Sequence, residues 1–161
     1  MPRLLIVHHS PTALVRSITE RVVAGANDDS IEGVEVVVKE ALEARADDVL
    51  AADGYLLGTT ANFGYMSGAL KHFFDSIFLE AGGALSDDGS AGTSGGGKKP
   101  YGLWVHGRYD TTGAVRSVQS IVGALPWRQS AEVLELLGDV GDDEYAAAYE
   151  LGGTLAALTS R

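Results

Sequence analysis

Three short segments of the chain hold residue types and spacings suited to chemistry on a small ligand. The first, His9-Ser10-Pro11-Thr12, follows a brief apolar run. Ser10 suits a helix cap and Pro11 the first helical position. Hydroxyls beside free backbone N–H groups at a helix start also favour an anion such as a phosphate, so capping and anion binding both explain this segment. The second runs from Gly58 through Thr59, Thr60, Ala61, Asn62, Phe63, Gly64, Tyr65, Met66 and Ser67 to Gly68. It offers a flat stacking surface with backbone donors for ring heteroatoms; the alternative is that Phe63 and Met66 only cover the core. The third, His106-Gly107-Arg108-Tyr109-Asp110-Thr111-Thr112-Gly113, supplies a guanidinium, a phenol, a carboxylate and two hydroxyls. Arg108 suits a phosphate and Tyr109 a stacked ring, while Asp110 or Thr112 suits a helix cap. The candidate catalytic groups are His106 and Tyr109, although a histidine closing a buried strand equally suits a packed, hydrogen-bonded role.

Other chemistries lack their residues. There is no G-x-G-x-x-G and no Walker lysine motif, which argues against a Rossmann dinucleotide site or a P-loop. No cysteine is present, so thiolate metal sites, disulfides and cysteine nucleophiles are excluded. No His/Asp/Glu spacing suggests zinc. A magnesium-dependent receiver would need an acidic pair after the first strand, where His8-His9 stands.

The elements that must position these segments alternate in type. Residues 4–7 form a short continuous apolar run that reads as a strand buried in a parallel sheet, and residues 34–38 form a second, β-branched run rich in strand formers. Between them Leu14, Val15, Ile18 and Val22 mark one helical stripe. A weaker helical stretch covers residues 40–49. Residues 55–57, closed by Gly58, give a third strand. Leu70, Phe73, Phe74 and Ile77 sit at i, i+3, i+4 and i+7 of the clearest helix. Residues 101–106 read as a fourth strand, Val115, Val118, Val122 and Leu125 as a helix, residues 132–137 as a fifth strand and residues 143–158 as a last helix. Strands alternating with helices imply a parallel sheet covered on both faces. In such sheets ligands bind beyond the carboxyl ends of the strands, which is where all three segments fall. Residues 82–99 are glycine-rich and poor in large apolar groups, and read as a mobile loop.

A length of 161 residues suits one domain, residues 1–161. Twelve Lys and Arg against 22 Asp and Glu give a formal charge of −10. That balance argues against nucleic-acid binding, and no apolar run approaches the ~20 residues of a membrane span. A cytoplasmic protein without membrane insertion is the expectation.

The string from Ala52 to Gly68, continuing through Leu70-Lys71 and Phe73-Phe74-Asp75, resembles the flavodoxin-like FMN-binding proteins. It is especially similar to the NAD(P)H:quinone oxidoreductases of the tryptophan-repressor-binding-protein type. The segment Glu150-Leu151-Gly152-Gly153-Thr154-Leu155-Ala156 resembles that family's last helix. The resemblance implies a three-layer α/β fold, with a five-stranded parallel sheet of order 2-1-3-4-5 and helices on both faces. It implies FMN as cofactor. Ser10, Thr12, Ala13, Leu14 and Val15 would hold its phosphate, Thr60, Ala61, Asn62, Phe63 and Gly64 would line its ring, and Gly107, Arg108, Tyr109, Asp110, Thr111 and Thr112 would close the other side. The implied activity passes hydride or electrons from NADPH or NADH to a small acceptor such as a quinone. The alternative is a flavodoxin-type carrier that docks basic redox partner proteins, and a third reading is a member that binds no flavin. Assembly as a homo-dimer or tetramer is also implied. The chain departs from the pattern at Ala13 and Leu14, where relatives often have glycine and a polar residue, and at Thr60 and Asn62, where Pro and Arg are usual.

Overall fold

A computed structural model describes residues 1–83 and 98–161. The apolar run behind the first functional segment becomes β1 (Arg3–His8), in which Leu4, Leu5, Ile6 and Val7 are all fully buried. Their alternation explains why no polar residue interrupts them. Leu5 and Val7 join one core, beneath α2 (Ala46–Ala51), α3 (Gly68–Ile77) and α4 (Thr112–Val122). Leu4 and Ile6 join the other, beneath α1 (Ala13–Ala26) and α5 (Asp142–Thr159). Helices therefore cover both faces of the sheet, as expected.

The expected five parallel strands in the order 2-1-3-4-5 are corrected. The sheet has seven strands: β2 (Glu35–Glu40), β1, β3 (Gly54–Asn62), β5 (Lys99–Gly107) and β6 (Trp127–Gln129) in spatial order, with β4 (Tyr65–Met66) on β3 and β7 (Leu134–Leu137) on β5. Two local causes account for the difference. β6 and β7 are separate short strands, pairing with the first and last residues of β5 respectively. Between them the Gln129 side chain donates to the Ala131 carbonyl and Ser130 Oγ to that of Arg128, so side chains take over backbone acceptors that a continuous strand would use. In addition, residues 59–67 are not a loop. β3 runs past Gly58 to Asn62 and turns back as the antiparallel β4. Gly58 lies inside the strand because Trp104 covers it: a Cβ there would stand 2.0 Å from the indole ring.

Helix starts also differ. Thr12, not Ser10, caps α1, its side chain accepting from Val15 N at 3.3 Å. The weak helix resolves into a turn followed by α2. The expected mobile loop at 82–99 lies, apart from its ends, outside the described residues, and Lys99 already belongs to β5. No helix among the described residues is long and apolar enough to cross a membrane.

At Gly25 and Gly152 the backbones of α1 and α5 come into direct contact. A Cβ on Gly25 would fall 1.8 Å from the Tyr149 carbonyl oxygen, and one on Gly152 1.9 Å from that of Val22. Beside this contact Ser17 Oγ and the Tyr145 hydroxyl are 2.8 Å apart, and Arg21 lies over the Tyr145 ring at 4.9 Å. The helix that begins at the first functional segment is thereby fixed to the C-terminal helix.

Candidate functional site

The carboxyl ends of β3 and β5 and the start of α1 enclose a cavity of about 320 Å³. Thr12, Leu14 and Val15 line it from the cap and first turn of α1, Thr60, Ala61 and Asn62 from β3, and His106, Gly107 and Arg108 from β5 and the residue after it. All three sequence segments thus contribute to one space. In the first turn of α1 the amides have no intrahelical acceptor, and Thr12 satisfies that of Val15; those of Ala13 and Leu14 stand at the helix start. Thr60 Oγ1 is buried and has no hydrogen-bond partner among the described residues. A buried hydroxyl without a partner costs about 1–3 kcal/mol. Thr60 itself lines the cavity together with the start of α1.

Ser10 is placed elsewhere. Its Oγ is 2.8 Å from His8 Nδ1 and 2.7 Å from Thr19 Oγ1, and it lines neighbouring cavities with His8. Its hydroxyl therefore braces the loop from behind. Burial holds the His8 imidazole below its ordinary pKa, against the opposing pull of Glu40.

From the lining residue Asn62 the chain turns through the Asn62-Phe63-Gly64-Tyr65 hairpin. Both central residues have positive φ, 50° at Phe63 and 80° at Gly64, the signature of a type I′ turn. Gly64 adopts this freely. Phe63 does not, and its ring is fully exposed (109% of the reference area). The turn is held from below: Ser67 N donates to Thr59 Oγ1, Met66 N donates to Ser117 Oγ on α4, and a Cβ at Gly113 would lie 2.0 Å from the Gly64 carbonyl oxygen. A bulky residue in a strained, solvated turn contributes nothing to folding, and such outliers gather at binding sites. Phe63→Asn should accordingly raise the melting temperature by about 2–4 °C, since Asn tolerates the left-handed region at roughly 1 kcal/mol less cost; differential scanning fluorimetry would measure it.

Of the third segment, Tyr109 projects into solvent at 91% exposure. Asp110 accepts from both the backbone N and the hydroxyl of Thr112, which places its carboxyl below the usual range. Thr111 Oγ1 donates to Glu135 at 2.7 Å. Asp110, Thr111 and Thr112 thus organise the start of α4 and do not line the cavity; nor do Ala13, Phe63, Gly64 or Tyr109.

One contributor had gone unnoticed in the sequence, the turn after β7. Gly138 has φ 68°. Its N donates to the Gly107 carbonyl, its own carbonyl accepts from His106 Nε2 at 2.7 Å, and the adjacent Asp139 holds Arg108 at 3.0 Å. Gly138 after an apolar strand was the available signal, but nothing in the sequence ties it to β5.

No family model matches the sequence. A flavodoxin of Aquifex aeolicus is 34% identical over 104 residues, 62% of this chain and 55% of that one, so the match spans about half the length of that relative. The Arabidopsis thaliana protein "Probable NAD(P)H dehydrogenase (quinone) FQR1-like 2" is 27% identical over an alignment of 199 positions, covering 99% of this chain and 72% of that protein. Among solved structures, an archaeal flavodoxin superposes with a TM-score of 0.76 at 14% identity over 96% of both chains. A flavodoxin of Streptococcus pneumonia TIGR4 gives 0.72 at 19% identity, covering 96% of this chain and 98% of that one. The fold is that of the flavodoxins, and the sequence is similar to a flavodoxin and to a probable NAD(P)H dehydrogenase (quinone).

Proposed function

We propose that the chain binds FMN at this cavity and serves as an oxidoreductase between NADPH or NADH and a small acceptor such as a quinone. The observation that carries the reading is a cavity built from all three segments at the start of α1, lined by Thr60, whose buried hydroxyl has no partner among the described residues. Thr60, Thr12 and the first amides of α1 would hold the phosphate. The hairpin and the β5–α4 connection would flank the ring, with the exposed Phe63 and Tyr109 available to stack. Bound flavin supplies the redox chemistry, and the protein supplies orientation, dipoles and access. Thr12 and the helix start present fixed donors to negative charge, while Asp139 orients the Arg108 guanidinium at the cavity wall.

The test is a visible spectrum of the purified chain with and without added FMN, followed by anaerobic addition of NADPH or NADH. A flavin band that bleaches rapidly supports the oxidoreductase. A band that persists with nicotinamide favours the second reading, an electron carrier whose −10 charge steers basic partner proteins toward it. Absence of any band defeats both. Thr60→Val separates binding from folding. Removing the buried hydroxyl is expected to leave the ligand-free protein as stable or about 1 kcal/mol more so, with roughly tenfold weaker FMN binding, as read by chemical denaturation and by quenching of flavin fluorescence.

A further inference from the structure

We propose that the outer edge of β2 pairs antiparallel with the same edge of a second copy of this chain, about a two-fold axis at Val37. The proposal stands apart from the FMN reading, since no residue of β2 lines that cavity. β2 ends the sheet: among the described residues it pairs with β1 alone, in a register that runs without a bulge from Glu35 to Glu40. Glu35 N donates to the Pro2 carbonyl and Ala41 N to that of His8. Alternate residues of a parallel ladder bond to alternate sides. Val37 and Lys39 therefore also turn to β1, and Val36 and Val38 present their N–H and C=O groups outward. Such a row is a template for another strand, and edges are commonly blunted by proline, a bulge or charged side chains. Here the centre is Val36-Val37-Val38, with charges only at Glu35, Lys39 and Glu40. Val38 is 40% exposed and, with Val23 and Ala24 of α1, opens an apolar groove of about 530 Å³.

The charges select the partner and the register. A ladder needs outward residues to meet outward residues, so the axis passes through a residue rather than between two. With the axis at Val37, Val36 lies opposite the partner's Val38 and exchanges both hydrogen bonds with it. Glu35 then lies opposite the partner's Lys39, and Lys39 opposite the partner's Glu35. These are non-hydrogen-bonded pairs, whose side chains stand closer. Moving the axis to Val36 would set Glu35 against the partner's Val37 and Lys39 against the partner's Gly33. Moving it to Val38 would set Glu35 against the partner's Ala41 and Lys39 against the partner's Val37. Of these, the axis at Val37 alone joins opposite charges, and the symmetry does so twice. Both groups have capacity for it. Arg3 takes Oε2 of Glu35 at 3.0 Å and leaves Oε1, while Lys39 lies 3.9 Å from Asp48. The formal charge of −10 repels a second copy at long range. At ~0.15 M ionic strength screening confines that repulsion to about 8 Å, and the facing Glu35 and Lys39 meet inside it.

Sedimentation of the full chain at that ionic strength should show a monomer–dimer equilibrium that shifts with concentration. Lys39→Glu and Glu35→Lys each set like charges opposite. Because the axis repeats the change, each should raise the dissociation constant about tenfold or more. Exchanging both, Glu35→Lys together with Lys39→Glu, should return it to within about threefold of the wild type. The chain has no cysteine, which supplies a second readout. Cα atoms of a non-hydrogen-bonded pair stand about 4.5 Å apart, within disulfide range. Mild oxidation should therefore link two copies of Val37→Cys on the axis and leave Glu35→Cys unlinked. A wild type that stays monomeric up to about 1 mM overturns the proposal. So does a dimer that the single charge variants leave unchanged, or that the double exchange fails to restore. Should a charge variant lose its fold by circular dichroism, the cysteine variants decide: no link at Val37, or equal linking at both positions, refutes the axis.

Discussion

Leu14→Glu is expected to weaken FMN binding at least a hundredfold while the ligand-free protein remains as stable or gains slightly. Leu14 is the second residue of α1, half-buried, with its side chain at the cavity. Two like charges about 6 Å apart, at an effective dielectric constant of ~20, repel by about 3 kcal/mol. That is more than a hundredfold in affinity against a phosphate held at the helix start. The same carboxylate sits favourably on the helix dipole, a gain of about 0.3–1 kcal/mol, at an N-terminus whose first turn has no acidic residue of its own. The opposite signs make the result diagnostic. Isothermal titration with FMN and a thermal melt without it should move in different directions. Equal losses for FMN and riboflavin would show that bulk rather than charge is responsible, and would remove the phosphate from this end of the cavity.

The second large effect concerns the helix pair that carries the site. Gly152→Val should lower stability by about 3 kcal/mol or more and the melting temperature by roughly 10 °C. The added Cβ would stand 1.9 Å from the Val22 carbonyl oxygen and 2.9 Å from Ala26 N, and no rotamer can move it away. Backbone must separate from backbone, opening the core formed by Ile18, Val22, Leu151 and Leu155. The neighbouring glycine is the control. A Cβ on Gly153 would find nothing nearer than the Gly25 carbonyl oxygen at 3.4 Å, so Gly153→Ala should be neutral or, through helix propensity, stabilising by up to about 1 kcal/mol. Circular-dichroism melts of the two variants check both halves.

The contrast between those two glycines shows where sequence reasoning stops. Adjacent and chemically identical, they differ only in what a helix more than a hundred residues earlier places against them. The apolar run of β1 and the 3.6-residue stripe of α3 were legible because burial in a sheet or on a helix face imposes its own pattern. The split of the edge strand into β6 and β7 was not, because it depends on how Gln129 and Ser130 recruit nearby carbonyls once folded. The same distinction holds at the cavity. Strand ends pointed to the segments that hold Thr60 and His106, since ligands gather there in parallel sheets. Ser10 was assigned a ligand role on residue type, yet its hydroxyl is committed to His8 and Thr19. The hold of Gly138 and Asp139 on His106 and Arg108 is tertiary and leaves no local pattern.

The hairpin that starts at Asn62 also has a kinetic consequence. Its turn rests on Gly113, with no space for even a methyl group between the two backbones, and its return strand is bonded to α4. The turn therefore has no independent hinge, and opening it would mean lifting the start of a helix. What can move in these two segments is the ring of Phe63 and that of Tyr109, both in solvent. Exposed side chains change rotamer in picoseconds to nanoseconds, whereas lids open in microseconds to milliseconds. Motion in these segments thus belongs to side chains on a fixed frame, on the faster of the two timescales.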